Sequence, residues 1–192
     1  MKASNVLLLP GWQDSGPDHW QSVWERWYGY RRVQQHDWMR PLRGDWCARL
    51  EEVLLACDEP AVLVAHSLGC QLVAAWAAHS GQTQRVRAAL LVAPPDVERE
   101  DLRCVLPSWS PIPLQPLPFK CVLLGSRDDP YCALQRTRQM AQAWGCEFVD
   151  GANLGHVNAD SGLGAWDLGH DILSDLQPGP SRRSIPILLS TD

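Results

Sequence analysis

Ser67 lies in the run VLVAHSLGCQLVAAWAA, residues 62–78, where four apolar residues lead into His-Ser-Leu-Gly and then an alanine-rich stretch. A serine on a sharp strand-to-helix turn projects its hydroxyl above a sheet. Such turns read G-x-S-x-G because the residues two before and two after approach neighbouring backbone closely. Here Gly69 is in place and Ala65 takes the first position, adding one methyl group. A serine becomes a nucleophile only when a base takes its proton, and the base needs an acid to orient it. On this kind of turn the partners follow in the order serine, acid, histidine. Three histidines come after Ser67: His79, His156 and His170. His79 closes the helix expected after the serine, and His170 falls inside the last helical stretch. His156, in NLGHVN, follows an expected strand directly and is the candidate base.

For the acid, VLLGSRDDPY offers Asp128 and Asp129 in a loop after another expected strand. Asp129 is preferred because the residue before a proline is held extended. Asp128 is then left to solvent or to nearby amides, and Asp150 is the second choice. The developing oxyanion needs two donors. The N–H of Leu68, just after the serine, and that of Trp12, after the early strand in LLLPGW, are the candidates. Residues expected to border a substrate pocket are His66, Trp12, Trp109 and Trp166.

These residues need a scaffold that brings distant segments to one rim. Short apolar runs alternate with helical stripes along the chain. Strands are expected at 6–9, 32–35, 61–65, 86–93, 120–124 and 147–149. Helices are expected around 20–27, 46–57, 69–79, 134–144 and 167–176. The stripe Trp20, Trp24 and Trp27 is expected in the core. Residues 94–118 hold seven prolines and read as a long irregular connection. Apolar strands without polar alternation imply a parallel sheet covered on both faces, an α/β three-layer sandwich with chemistry at the strands' carboxyl ends.

The chain has 192 residues, 45% apolar and 20% charged, with net charge −5. That size suits one domain, expected over residues 1–177, with a loose extension at 178–192 in which residues 185–189 could pair with something. The absence of a basic patch argues against nucleic acid or an anionic membrane as partner. The seven cysteines are odd in number and have no C-x-x-C, which fits reduced thiols in a cytoplasmic protein. The first apolar run is too short for a signal peptide. No metal or organic cofactor is required by this chemistry, and no residue cluster has metal-ligand spacing. The composition leaves the oligomeric state open.

The chain resembles the small serine hydrolases grouped with retinoblastoma-binding protein nine and the bacterial YdeN protein, the bacterial branch above all. The resemblance rests on LLLPGWQDSGPDHWQSVWE (7–25), VLVAHSLG (62–69), LLVAPPDVER (90–99), PIPLQPLPF (111–119), SRDDPYC (126–132) and GHVNADSGLGAWDLG (155–169). It implies a compact α/β-hydrolase fold without a large cap domain and a triad of Ser67, Asp129 and His156. Family members often carry Asn-Asp-Pro at the acid, which supports Asp129, and alanine before the turn is common in the bacterial branch. The implied activity is cleavage of small esters or amides. Two alternatives share the scaffold: a protein-interaction module with an idle site, and a thioesterase or acyltransferase, for which Arg127 and Arg136 are the nearest cations.

Overall fold

Apolar runs such as Ala-Val-Leu-Val-Ala and Val-Arg-Ala-Ala-Leu-Leu-Val form central strands because both of their faces are covered, so alternate residues serve opposite cores. The computed structural model describes residues 5–176. Its strands are β1 (Val6–Leu9), β2 (Arg31–Arg32), β3 (Ala61–His66), β4 (Val86–Val92), β5 (Lys120–Gly125) and β6 (Glu147–Asp150). The helices are α1 (Trp20–Tyr28), α2 (Arg43–Leu55), α3 (Leu68–His79), α4 (Glu100–Val105), α5 (Leu134–Trp144) and α6 (Asp167–Leu176). All strands run parallel in the order β2-β1-β3-β4-β5-β6. Every carboxyl end therefore opens on the same rim.

On one face Leu7, Leu9, Leu63, Leu91 and Leu123 pack under α2, α3 and α5 through Trp46, Leu50, Trp76 and Trp144. On the other, Val6, Leu8, Val64, Leu90 and Leu124 meet α1 and α6 through Trp20, Trp24 and Leu173. A buried large apolar side chain stabilises by about 1.5–3 kcal/mol, so the seven buried tryptophans anchor both layers. No described helix is long and apolar enough to cross a membrane.

Three expectations need correction. The strand expected at 32–35 is two residues long, at Arg31–Arg32, because Val33 onward turns away after its N–H bonds the Leu8 carbonyl at 2.9 Å. Residues 94–118 are not wholly irregular: α4 and a single 3₁₀ turn at Pro107–Trp109 lie within them. Trp27 is 66% exposed, not core. The buried side of α1 is centred on Gln21 and Trp24, and its continuation one turn on is Tyr28, which packs against the second core in place of Trp27. The extension at 178–192, with residues 185–189, lies outside the described residues.

Candidate active site

β3 ends at His66 and α3 starts at Leu68, so Ser67 alone makes the turn, at φ 54° and ψ −125°. A side chain at positive φ costs on the order of 1–3 kcal/mol and persists only where the surroundings dictate it. Here they do. The Ser67 N–H donates to the Val92 carbonyl at 2.9 Å, and its own carbonyl accepts from Cys70 N–H at 2.9 Å. A Cβ at Gly69 would fall on the Leu9 carbonyl oxygen, and one at Gly11 would stand 2.6 Å from the Ser67 Cβ. Glycine is needed at both positions because strand ends press on the turn. In sequence Gly11 is only the glycine of a Pro-Gly pair after a strand; its contact with Ser67 is invisible without the fold.

The serine hydroxyl donates to His156 Nε2 at 2.8 Å. On the far side of the ring, Nδ1–H faces both carboxylate oxygens of Asp129 at 3.0 Å each. The Asp129 carboxylate also accepts from Tyr131 N–H at 2.9 Å, and its side chain is 2% exposed. Asp128 turns away: it accepts from Ser126 Oγ and Gly155 N–H, both at 2.8 Å, tying the loop after β5 to the loop carrying His156. The Ser126 hydroxyl and that amide hold the Asp128 carboxyl below its ordinary value. Asp150 pairs with Arg127 and Arg138 and does not face the imidazole. His170 is bonded to the Tyr30 hydroxyl at 2.9 Å, in the α1–α6 layer.

Leu68 opens α3, so its N–H has no intrahelical acceptor. Trp12 follows β1 through Pro10-Gly11, and both residues border the cavity that contains Ser67 and His156. The loop carrying Trp12 has Gln13 and Asp14 at φ 70° and 66°. It is braced from several sides. Trp12 Nε1–H donates to Met39 O, and Gln13 N–H to Trp38 O, each at 3.0 Å. The Arg32 guanidinium, nearly buried, grips Asp14, the Ser15 carbonyl, Ser22 and Glu25. Gln21, fully buried, donates to the carbonyls of Leu9 and Val64 and accepts from Ser15 Oγ. Neither the type nor the spacing of Gln21 and Arg32 marks them in the sequence as supports of this loop. A glutamine beside Trp20 and one turn before Trp24 is the one local signal for the first.

The cavity has a volume of about 210 Å³. Pro95, Leu102 and Leu106 give it an apolar wall, and Tyr131 and Asn158 also line it. Tyr131 is 41% exposed and meets the His156 ring edge-on at 4.6 Å. Two pocket expectations fail. Trp109 is buried against Trp46 and donates to the Pro41 carbonyl, so it supports the apolar wall from behind. Trp166 packs between Trp20 and Trp24 in the layer under α6. His66 borders the cavity, but its ring is 5% exposed and bonds protein. Among the described residues, no group of three His, Cys, Asp or Glu is disposed to hold a metal ion.

A sequence model of a family described as serine hydrolase matches residues 6–175. No curated protein matches the chain. Among solved structures, a protein described as a YdeN-like hydrolase from Pectobacterium atrosepticum is similar, with 30% identity over 91% of this chain and 92% of that one, and a TM-score of 0.79. The ydeN gene product of Bacillus subtilis shares 19% identity over 90% of this chain and 98% of that one, with a TM-score of 0.72. An esterase from Rhodococcus, 15% identical over 92% and 91% with a TM-score of 0.61, shares the fold alone. With the match running from β1 into α6, this chain belongs to the YdeN-type serine hydrolase family of the α/β-hydrolase superfamily.

Proposed function

We propose that the protein cleaves small carboxylic esters or amides through an acyl-enzyme on Ser67. The reading rests on one observation above all: the Ser67 hydroxyl, the His156 imidazole and the Asp129 carboxylate form a continuous hydrogen-bonded line at 2.8 and 3.0 Å. His156 takes the serine proton as Ser67 attacks the carbonyl, then delivers it to the leaving group. Asp129 keeps the ring's Nδ1 protonated, so that Nε2 is free to accept, and stabilises the imidazolium. The Trp12 and Leu68 amides receive the oxyanion, each donor being worth about 3–4 kcal/mol of barrier. Water then reverses the sequence and frees the acid.

The apolar wall of Pro95, Leu102 and Leu106 and the small volume suit a short acyl group. A carrier-bound acyl group gains no support from Arg127 and Arg136, the two cations the sequence offers for it, because both are already engaged. Arg127 faces Asp150, and Arg136 pairs with Asp96 and Glu98. The test is labelling by a fluorophosphonate probe, followed by p-nitrophenyl esters of rising chain length. Wild type is expected to label at Ser67 and to prefer short acyl chains, and Ser67→Ala to lose labelling and on the order of 10⁶-fold in kcat. Equal labelling of the Ser67→Ala variant overturns the proposal.

A further inference from the structure

Two further histidines stand behind His156, and ester hydrolysis as described above uses neither. His66 is the last residue of β3, and His19 caps α1. The three rings form a row, His19 to His66 at 4.6 Å and His66 to His156 at 5.0 Å between centroids. His19 and His66 are buried. We propose that His66 is a positioning residue for His156: its Nε2–H donates to the His156 backbone carbonyl at 2.9 Å and so registers the base against the nucleophile's own strand. The inference rests on the Ser67–His156–Asp129 reading.

The chemistry of this bond is unambiguous in direction. A carbonyl oxygen only accepts, so His66 must carry its hydrogen on Nε2. Burial, with His19 and then His156 beside it, holds His66 well below its ordinary pKa. A neutral imidazole has a single N–H, and here it is committed to the His156 loop. His66 adjoins Ser67 in the chain. The bond is therefore a direct tie between the residue before the nucleophile and the residue that is the base.

The loop needs such a tie. Val157, the next residue, sits at φ 51°, a conformation that β-branched side chains rarely adopt. Two ring N–H groups hold the backbone there, His66 on the carbonyl of His156 and Trp20 Nε1 on that of Val157, the latter at 2.8 Å. His19 completes the arrangement as a wedge. Its Nδ1 accepts from Gln21 N–H at 3.1 Å, and its ring meets the His66 ring edge-on. Trp20 meets His66 edge-on as well, at 6.1 Å and 89°. The His66 ring is thus oriented from two sides before it reaches the loop.

Glutamine and asparagine separate reach from chemistry at position 66. The glutamine amide nitrogen falls near the imidazole Nε2, whereas the asparagine nitrogen falls near Nδ1 and stops short of the His156 carbonyl. The variants His66→Gln, His66→Asn and His66→Phe are assayed with p-nitrophenyl acetate and by fluorophosphonate labelling rate, with His156→Ala as the control. The expected result is a fall of about 10- to 100-fold in kcat and labelling rate for His66→Asn and His66→Phe, with KM little changed, since a base displaced by about 1 Å loses that much. His66→Gln is expected to recover most of the rate. The inference is overturned if His66→Asn matches wild type, or if His66→Gln is as impaired as His66→Asn. Should His66→Phe fail to fold, the Gln and Asn pair alone decides. Full activity in His156→Ala would instead overturn the triad itself.

Discussion

Around Ser67 the constraints are steric: Gly11 and Gly69 leave no space for a Cβ, and the turn is pinned between β1 and β4. Around His156 they are polar. Asp129 holds the ring, Asp128 and Ser126 hold the amides of Gly155 and Leu154, and His66 and Trp20 hold two successive carbonyls. The serine hydroxyl must be aimed from a single fixed turn, and close packing fixes backbone well. The imidazole sits on a loop of residues 151–158 with no regular structure, where each backbone group needs its own partner. The two arms should therefore fail differently when cut.

The sharpest cut is Asp129→Asn, which keeps the shape of the polar arm and removes its charge. A fall of about 10⁴-fold in kcat is expected, with thermal midpoint close to wild type. Asp128→Asn in the same assay should cost far less, because that carboxylate binds loop amides and not the ring. Equal losses in the two variants would break the distinction between orienting acid and loop anchor. On the steric arm, Gly69→Ala forces a methyl onto the Leu9 carbonyl. It should lower stability by about 1–3 kcal/mol and lower activity along with it, read by urea midpoints beside ester turnover. Lost activity at unchanged stability would show that the turn is not held by packing.

The smallest expected effect per step is a pH slope. Burial, then Arg32 and His156, push the His19 imidazole down from 6.5 to about 3. Burial and the neighbouring histidines depress His66 likewise. Below pH 6.5 the unfolded chain takes up protons that the folded chain refuses. Stability is therefore complete above that pH and falls as the solution is acidified, by about 1.4 kcal/mol per pH unit for each histidine. Urea midpoints between pH 7.5 and 5.5 should show it, with a shallower slope in His66→Gln. Identical slopes in the two proteins would mean that His66 titrates as it does in the unfolded chain.

The same contrast explains what could be read from the sequence. The parallel α/β sandwich was legible because continuous apolar strands and tryptophan stripes are local patterns. Half of the steric arm was legible for a related reason: small residues must sit two positions on either side of the serine, which marks Gly69, whereas the approach of Gly11 to Ser67 joins segments 56 residues apart. His156 and Asp129 emerged from chain order and from their places after expected strands. The polar supports did not, since Trp20 meets Val157 across 137 residues and His66 meets the His156 carbonyl across 90. Trp109 and Trp166 were misplaced because a tryptophan near the rim is as easily spent on packing as on lining a cavity, and sequence type alone does not separate the two uses.

The apolar wall of the cavity comes from Leu102 and Leu106, at α4 and just beyond it, in the connection between β4 and β5. Ser67, Asp129 and His156 come from other loops, after β3, β5 and β6. On the proposed ester-cleaving reading, trimming those two residues would change which acids are accepted while leaving the loops that carry Ser67, Asp129 and His156 untouched, so that selectivity and turnover become separately adjustable traits.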